Sequence, residues 1–313
     1  MRIFSDVKEF RKKCASVKKG TALAIGKFDG IHLGHQKLLD IVKSYKNKGL
    51  ATVVFTFDIP MAAFFSGHEV QVLTTNEERR EYLAELGIDY LIEFPVNDET
   101  INTEPEDFVK DILVRRLNAK IIAAGYDCSF GRGGRGNIEL LRSMQKKYGF
   151  ETVEVEKISY ADEIISSTLV RGFVADGNME MAEKLLGHPY SVGGKVSHGR
   201  KLGSAALAMP TVNIMPASDK LLPPFGVYFS NVIVGSSIYH GITNIGRKPT
   251  ISDHEAVGVE TFIYDFDDDL YGEKLRVDLL HWHREEMKFP GIDALKIQMH
   301  KDMNMGKDYF SLT

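Results

Sequence analysis

The 313 residues, 43% hydrophobic and 26% charged, are enough for two domains with separate cores and exclude an intrinsically disordered protein. A formal net charge of -4 argues against non-specific nucleic-acid binding, which wants a basic surface. Met1 to Lys8 has no apolar core of signal-peptide length and no later run approaches a membrane span; two cysteines, Cys14 and Cys128, are too few for a disulfide framework, so a cytoplasmic chain with free thiols is expected.

The first element is Ala22 to Ile25, short and apolar like a buried parallel strand. Gln36 to Lys46 then carries Leu38, Leu39, Ile41, Val42 and Tyr45 at helical spacing. Between them lies Gly26-Lys27-Phe28-Asp29-Gly30-Ile31-His32-Leu33-Gly34-His35. A strand, a glycine-rich turn and a helix form the context for phosphate binding, because the free N–H groups of a first helical turn attract anions. Glycines 26, 30 and 34 are expected to let the backbone approach a phosphate, so a triphosphate substrate is the first hypothesis. His32 and His35 suit a reaction in which negative charge grows on phosphate, since imidazole donates hydrogen bonds to it without a covalent bond. As metal ligands they lack a further Asp, Glu, Cys or His in the next turn. The remaining alternative is an ordinary surface pair.

Strands and helices alternate onward. Ala51 to Phe57 reads as strand, Asn76 to Leu86 as helix with Asn76 as N-cap, and Asp89 to Phe94 as strand. Pro105 to Leu117 is an amphipathic helix, Lys120 to Ala124 a strand, Asn137 to Tyr148 a helix and Thr152 to Val155 a strand. Repeated βα units imply a mostly parallel sheet covered on both sides, with ligands at the carboxyl ends of the strands. A second loop at such an end, Gly125 to Asn137, has five glycines and two arginines. It reads as a cationic cover for phosphates or a planar ring, or as a surface loop. Ile165-Ser166-Ser167-Thr168-Leu169-Val170-Arg171 offers hydroxyls and a guanidinium for phosphate, or a helix cap.

The pattern changes after the helix Met179 to Leu186, which puts a domain boundary between 186 and 187. Short strands follow at Val192 to Val196, Thr211 to Ile214, Gly226 to Val234, Ile238 to Ile245, Val257 to Asp265 and Leu275 to His281, and a helix from Ile292 to His300 ends the series. That is an all-β domain, a small barrel with a helix packed on it. Thr211 and Asn213, two apart on one strand, share a face and could hold a hard cation by oxygen. Glu260, in an otherwise apolar strand, is either a general base for a hydroxyl or an outward-facing strand residue. Asn244-Ile245-Gly246-Arg247-Lys248-Pro249-Thr250 puts two cations in a turn, a phosphate clamp or a solvated loop.

Taken together, these segments resemble the prokaryotic bifunctional riboflavin kinase/FMN adenylyltransferase (FAD synthetase) family from about Lys19 to Asp302. Five signatures occur in the family's order: the Gly26 to His35 run, the Gly125 to Asn137 loop, Ile165 to Thr168, Pro210-Thr211-Val212-Asn213, and Val259-Glu260-Thr261 leading to Asp265-Phe266 and Asp269-Leu270-Tyr271-Gly272. The resemblance implies an α/β, Rossmann-like nucleotidyltransferase domain over 1–186 and an all-β riboflavin kinase-like barrel with a terminal helix over 187–313. It implies that riboflavin and ATP give FMN and ADP, that FMN and ATP give FAD and pyrophosphate, and that Mg2+ serves both reactions. The partners it implies are small-molecule substrates only, with neither nucleic acid nor membrane, acting on a monomer or a reversible homo-oligomer. In the first domain it assigns His32 and His35 to catalysis. Gly26, Lys27, Phe28, Asp29, Gly34, Ser166, Ser167, Thr168 and Arg171 go to ATP and its phosphates, and Asp127, Phe130 and Arg132 to the flavin. In the second it assigns Mg2+ to Thr211 and Asn213 and the general base to Glu260.

Several positions depart from the family pattern. Thr56-Phe57-Asp58-Ile59-Pro60-Met61 lacks the usual Pro-His-Pro histidine, Lys27 replaces an asparagine and Leu169 an arginine. Ala205 and Ala208 stand where an arginine and a glycine are favoured, and Phe262 replaces a histidine. These changes make the kinase the less secure half. They also motivate two alternatives, a monofunctional FMN adenylyltransferase with a weakened kinase domain and a non-enzymatic flavin-binding regulator.

Overall fold

A computed structural model describes residues 1–14, 17–197, 211–248 and 256–312. Its backbone contacts divide the chain into two units, Met1–Ser167 and Thr168–Thr313. In chain order the first unit holds β1 (Arg2–Phe4), α1 (Val7–Lys13), β2 (Thr21–Ile25), α2 (Leu33–Ser44), β3 (Ala51–Phe57), α3 (Met61–Ser66), α4 (Asn76–Glu85), β4 (Tyr90–Phe94), α5 (Asp98–Ile101), α6 (Pro105–Asp107), β5 (Ala119–Gly125), α7 (Ile138–Tyr148), β6 (Glu151–Val155) and a hairpin of β7 (Ser159–Tyr160) and β8 (Glu163–Ile164). α8 (Ser167–Ala175) begins at the division, and α9 (Met179–Leu186) follows it. The rest of the second unit is β9 (Tyr190–Ser197), β10 (Thr211–Ile214), β11 (Gly226–Val234), β12 (Ser237–Lys248), β13 (Ala256–Ile263), β14 (Lys274–Glu285) and α10 (Ile292–Phe310).

The apolar runs of the first unit pair into one six-stranded parallel sheet in the order β1-β4-β3-β2-β5-β6. Side chains of a strand alternate between faces, and β2 shows the consequence. Leu23 and Ile25 join one core with Phe10, Leu113 and Leu141, while Ala22 and Ala24 join another with Leu39, Val42 and Leu83. Both faces are thereby covered, as βα crossovers require. From β2 the chain runs through β3 to β4 in one direction, then returns to place β5 on the other side of β2. The carboxyl ends of β2 and β5 therefore form a topological switch point, where open α/β sheets bind ligands.

Several boundaries depart from the sequence-based expectation for identifiable reasons. The cap of α4 is Thr75, not Asn76: the Thr75 hydroxyl accepts from Glu78 N at 3.2 Å and the Glu78 carboxylate accepts from Thr75 N at 2.9 Å. That reciprocal capping box outcompetes a lone asparagine. The expected helix from Pro105 to Leu117 is three residues of α-helix followed by a π-helix, Phe108–Arg116. Arg247 and Lys248 are the end of β12, not a turn, because the ladder with β13 continues through Lys248.

In the second unit six antiparallel strands close into a barrel in the order β10-β13-β12-β11-β14-β9. Closure leaves no unpaired edge. Inside, Ser230, Thr243 and Thr261 form a hydroxyl chain, with oxygens 2.7 and 2.9 Å apart across β11, β12 and β13. All three are fully buried, so each hydroxyl needs a partner, and the chain ties the register of these strands. α10 packs on β12, and Tyr264 Oη donates to the Met303 carbonyl at 2.6 Å. Buried Asp302 of α10 accepts from Arg284 Nε at 3.0 Å and Nη2 at 2.6 Å. α9 packs on β14 and β9, which assigns it to the barrel unit by contact.

Candidate active sites

The turn from Gly26 to His32 sits at the carboxyl end of β2 and is tied from several sides. Gly26 N donates to the Phe55 carbonyl at 3.2 Å, and Thr56 Oγ1 to the Lys27 carbonyl at 3.1 Å. Leu73 N and Thr74 N donate to the Asp29 carboxylate at 2.8 and 3.1 Å, Gly30 N donates to Thr74 Oγ1 at 3.0 Å, and Ser167 Oγ donates to the Asp29 carbonyl at 2.8 Å. This network holds two non-glycine residues in the left-handed region, Phe28 at φ 50° and Ile31 at φ 42°. Both are essentially fully buried. Such conformations cost on the order of 1–3 kcal/mol each and persist where the surroundings over-determine them.

The glycines play different parts from those expected. Gly30, at φ 82°, needs the left-handed freedom. At Gly26 and Gly34 the missing Cβ admits a ring: it would lie 3.1 Å from Phe28 in the first case and 3.1 Å from the His32 imidazole in the second. His32 thus folds back over Gly34 and stacks on His35, with centroids 3.9 Å apart and planes at 22°. Phe28 flanks His35 at 5.1 Å.

Burial sets the electrostatics of the pair. His32 is 7% exposed, and its pKa is lowered to about 4 by burial, against the opposing pull of Asp127. His35 is held well below the ordinary histidine value by burial and by His32. Both rings are neutral at pH 7, and the Nδ1 atoms of both are buried without a hydrogen-bond partner among the described residues. His32 is also the N-cap of α2 but makes no side-chain cap, and the first turn of α2 has no acidic residue. A neutral donor pair at an uncapped helix N-terminus is suited to an anion.

Of the other residues proposed for this domain, Asp127 is close enough to act on His32. Phe130 is 3% exposed and stacks on Phe108 at 5.3 Å within the core. Arg132 pairs with Glu104 at 3.2 Å, and Lys27 is exposed. Ser167 directs its hydroxyl proton to the Asp29 carbonyl. Ser166 precedes α8, while Thr168 and Arg171 lie on the α8 residues that belong to the second unit. Sequence reasoning missed Thr74 and Thr75. The pattern Thr75-Asn76-Glu77-Glu78 is a capping-box signature that marks the segment able to receive Asp29.

The second site is built by register. On β10 and β13, Thr211 faces Phe262 and Asn213 faces Glu260; on the other side of β13, Asn244 of β12 faces Glu260. Directly opposed residues of antiparallel strands share a face, so Asn213, Glu260 and Asn244 form one cross-strand row. Inward-facing Val259, Thr261 and Thr243 alternate with them, so the row lies on the outside of the barrel. Thr211 Oγ1 donates to Glu260 Oε1 at 2.7 Å. Asn213 is 4% exposed, and Glu260 is half-buried. A hydroxyl, a carboxamide and a carboxylate make an all-oxygen set that fits a hard cation, since Thr211 keeps lone pairs while donating its proton. Arg247 instead extends over the Phe225 ring at 5.9 Å. Phe262 packs edge-on against Tyr264 at 5.2 Å. Ala205, Ala208, Pro210, Pro249 and Thr250 lie outside the described residues.

A FAD synthetase family model matches residues 14–169 and a riboflavin kinase family model matches 186–310. A protein of Escherichia coli strain K12 named bifunctional riboflavin kinase/FMN adenylyltransferase is 34% identical over 299 residues, covering 95% of each chain. The protein of the same name from Listeria monocytogenes is 35% identical over 295 residues, covering 92% of each. A crystal structure from Streptococcus pneumoniae, described there as a macrolide-efflux protein, superposes with a TM-score of 0.77 at 27% identity over 98% of both chains. Among the described residues of the present chain, no helix is long and apolar enough to cross a membrane. On identity and coverage, the chain belongs to the bifunctional riboflavin kinase/FMN adenylyltransferase family.

Proposed function

We propose that this protein makes FAD from riboflavin in two ATP-dependent steps, phosphorylation to FMN in the barrel and adenylylation of FMN in the α/β domain. The observation that favours two activities over adenylylation alone is the intact Thr211–Glu260 hydrogen bond in a row with Asn213. A non-enzymatic flavin binder would have no use for an aligned carboxylate and hydroxyl of this kind. Cytoplasmic action accords with the two cysteines being free thiols.

In adenylyl transfer the FMN phosphate, already ionised at neutral pH, attacks the α-phosphorus of ATP and pyrophosphate leaves. No base is required, so positioning and charge stabilisation dominate. His32 and His35 donate N–H hydrogen bonds to the phosphate oxygens as charge builds, and the N-terminus of α2 adds its backbone donors. The triphosphate charge opposes the effect of burial and draws both imidazoles back toward protonation. Asp29 and Ser167 support the reaction by holding the turn in shape.

Phosphorylation differs because the terminal ribityl hydroxyl must lose a proton as it attacks the γ-phosphorus and releases ADP. Glu260 takes that proton, and Thr211 holds its other oxygen. Thr211 and Asn213 would hold Mg2+, which supplies charge neutralisation on the transferring phosphoryl group when bound.

The test is product analysis by chromatography after supplying Mg-ATP with riboflavin in one tube and with FMN in another. FAD from both is expected. FAD from FMN alone would reduce the protein to an adenylyltransferase, and no product from either would overturn the reading.

A further inference from the structure

The polar row on the barrel contains a residue that neither takes the substrate's proton nor belongs to the Mg2+ set. Asn244 stands directly across from Glu260, on the side away from Thr211 and Asn213. Its carboxamide has no hydrogen-bond partner among the described residues, although the opposing position is a carboxylate and residues so paired have Cβ atoms about 5 Å apart. Thr211 engages Glu260 Oε1.

The surface on either side of this pair is unequal. Two residues along the same face toward α10, Ile242 opposes Phe262, and a Cβ added to Gly306 of α10 would lie 3.1 Å from Ile242 Cδ1. That side is closed and apolar. Two residues along in the other direction, Gly246 opposes Gly258, and both glycines are buried. A side chain at Gly246 would collide with the Glu286 carboxylate that reaches over it. The group that approaches the backbone closely at Gly246 is thus the Glu286 side chain.

We propose that Asn244 is a binding residue for the acceptor of the kinase reaction: its carboxamide hydrogen-bonds the ribityl hydroxyls of riboflavin and holds the terminal hydroxyl against Glu260. A carboxamide both donates and accepts, as do the hydroxyls of a polyol, whereas the Glu260 carboxylate only accepts. The inference rests on the reading of Glu260 as the base of a riboflavin kinase.

The experiment is steady-state FMN formation by the full chain and its Asn244→Ala variant, with riboflavin and Mg-ATP varied separately. The riboflavin KM is expected to rise about tenfold, the loss of one or two hydrogen bonds, with the ATP KM unchanged. FAD formation from FMN, a reaction of the other unit, should stay at the parental rate, and the unfolding midpoint of the barrel serves as the control for its folding. Should Asn244→Ala lower the unfolding midpoint, Asn244→Ser, which keeps a donor and acceptor in less volume, is the variant to read; it should show a smaller rise in the same KM. An unchanged riboflavin KM, or a rise in the ATP KM instead, overturns the proposal. The underlying reading fails separately, if Glu260→Gln leaves FMN formation intact.

Discussion

The two candidate sites solve the problem of handling phosphate in opposite ways. In the α/β unit the chemistry-bearing residues are neighbours in sequence, and tertiary structure serves to bend them into one strained turn. Phe28 and Ile31 accept left-handed backbone, and hydrogen bonds from Leu73, Thr74 and Ser167 hold the turn there. In the barrel the backbone is ordinary strand, and residues far apart in sequence become neighbours through register: Asn213, Glu260 and Asn244 fall in one row. The first arrangement is vulnerable to anything that relaxes a turn, the second to anything that shifts a strand.

Four changes would break or sharpen this contrast. Glu260→Gln should lower FMN formation by about 10²–10⁴-fold, the usual contribution of a general base, while leaving FAD formation from FMN untouched. Initial rates in separate assays check it. Replacing His32 or His35 by Asn should do the reverse, costing about 10²–10³-fold in FAD formation with FMN formation unchanged, by loss of a donor at developing charge. If either variant impairs both reactions equally, the two sites are not independent.

The third concerns pH. Burial depresses His32 to about 4 and moves His35 in the same direction. In the unfolded chain both titrate near the ordinary value of about 6.5, so between there and about pH 4 the unfolded state binds more protons. Stability of the α/β unit is therefore fully present above about pH 6.5 and falls on acidification, by about 3 kcal/mol for His32 alone. Urea unfolding at pH 7.0 and 4.5 should reveal the loss, and His32→Asn should flatten the slope; a slope identical in the variant would remove His32 from the account. The smallest effect is expected at Thr75→Ala, about 1 kcal/mol from the lost cap. It should also weaken ATP binding, because the same segment presents Leu73 N and Thr74 N to Asp29. A stability loss with ATP affinity unchanged would separate the cap from the turn.

Much of the architecture is legible in the sequence, though unevenly. Alternation of apolar runs with helical patterns identifies the parallel sheet, and Ala51 to Phe57, Thr211 to Ile214, Gly226 to Val234 and Met179 to Leu186 have the bounds read from periodicity. Phe130 illustrates the limit: the loop motif does not reveal that its ring stacks on Phe108 in the core. The turn expected at Arg247 and Lys248 fails because a charged strand end looks like a loop when the partner strand that pairs through Lys248 is unseen.

By itself the sequence determined the elements, the two classes of domain and the identity of the histidine pair, because these depend on spacing along the chain, which local sterics and periodicity translate directly. Only the tertiary structure decided that His32 folds over Gly34 onto His35, that burial leaves both rings neutral, that Thr211 holds Glu260, and that Asn244 stands across from it. Those facts depend on solvent exclusion and strand register, which are set by contacts between residues distant in sequence.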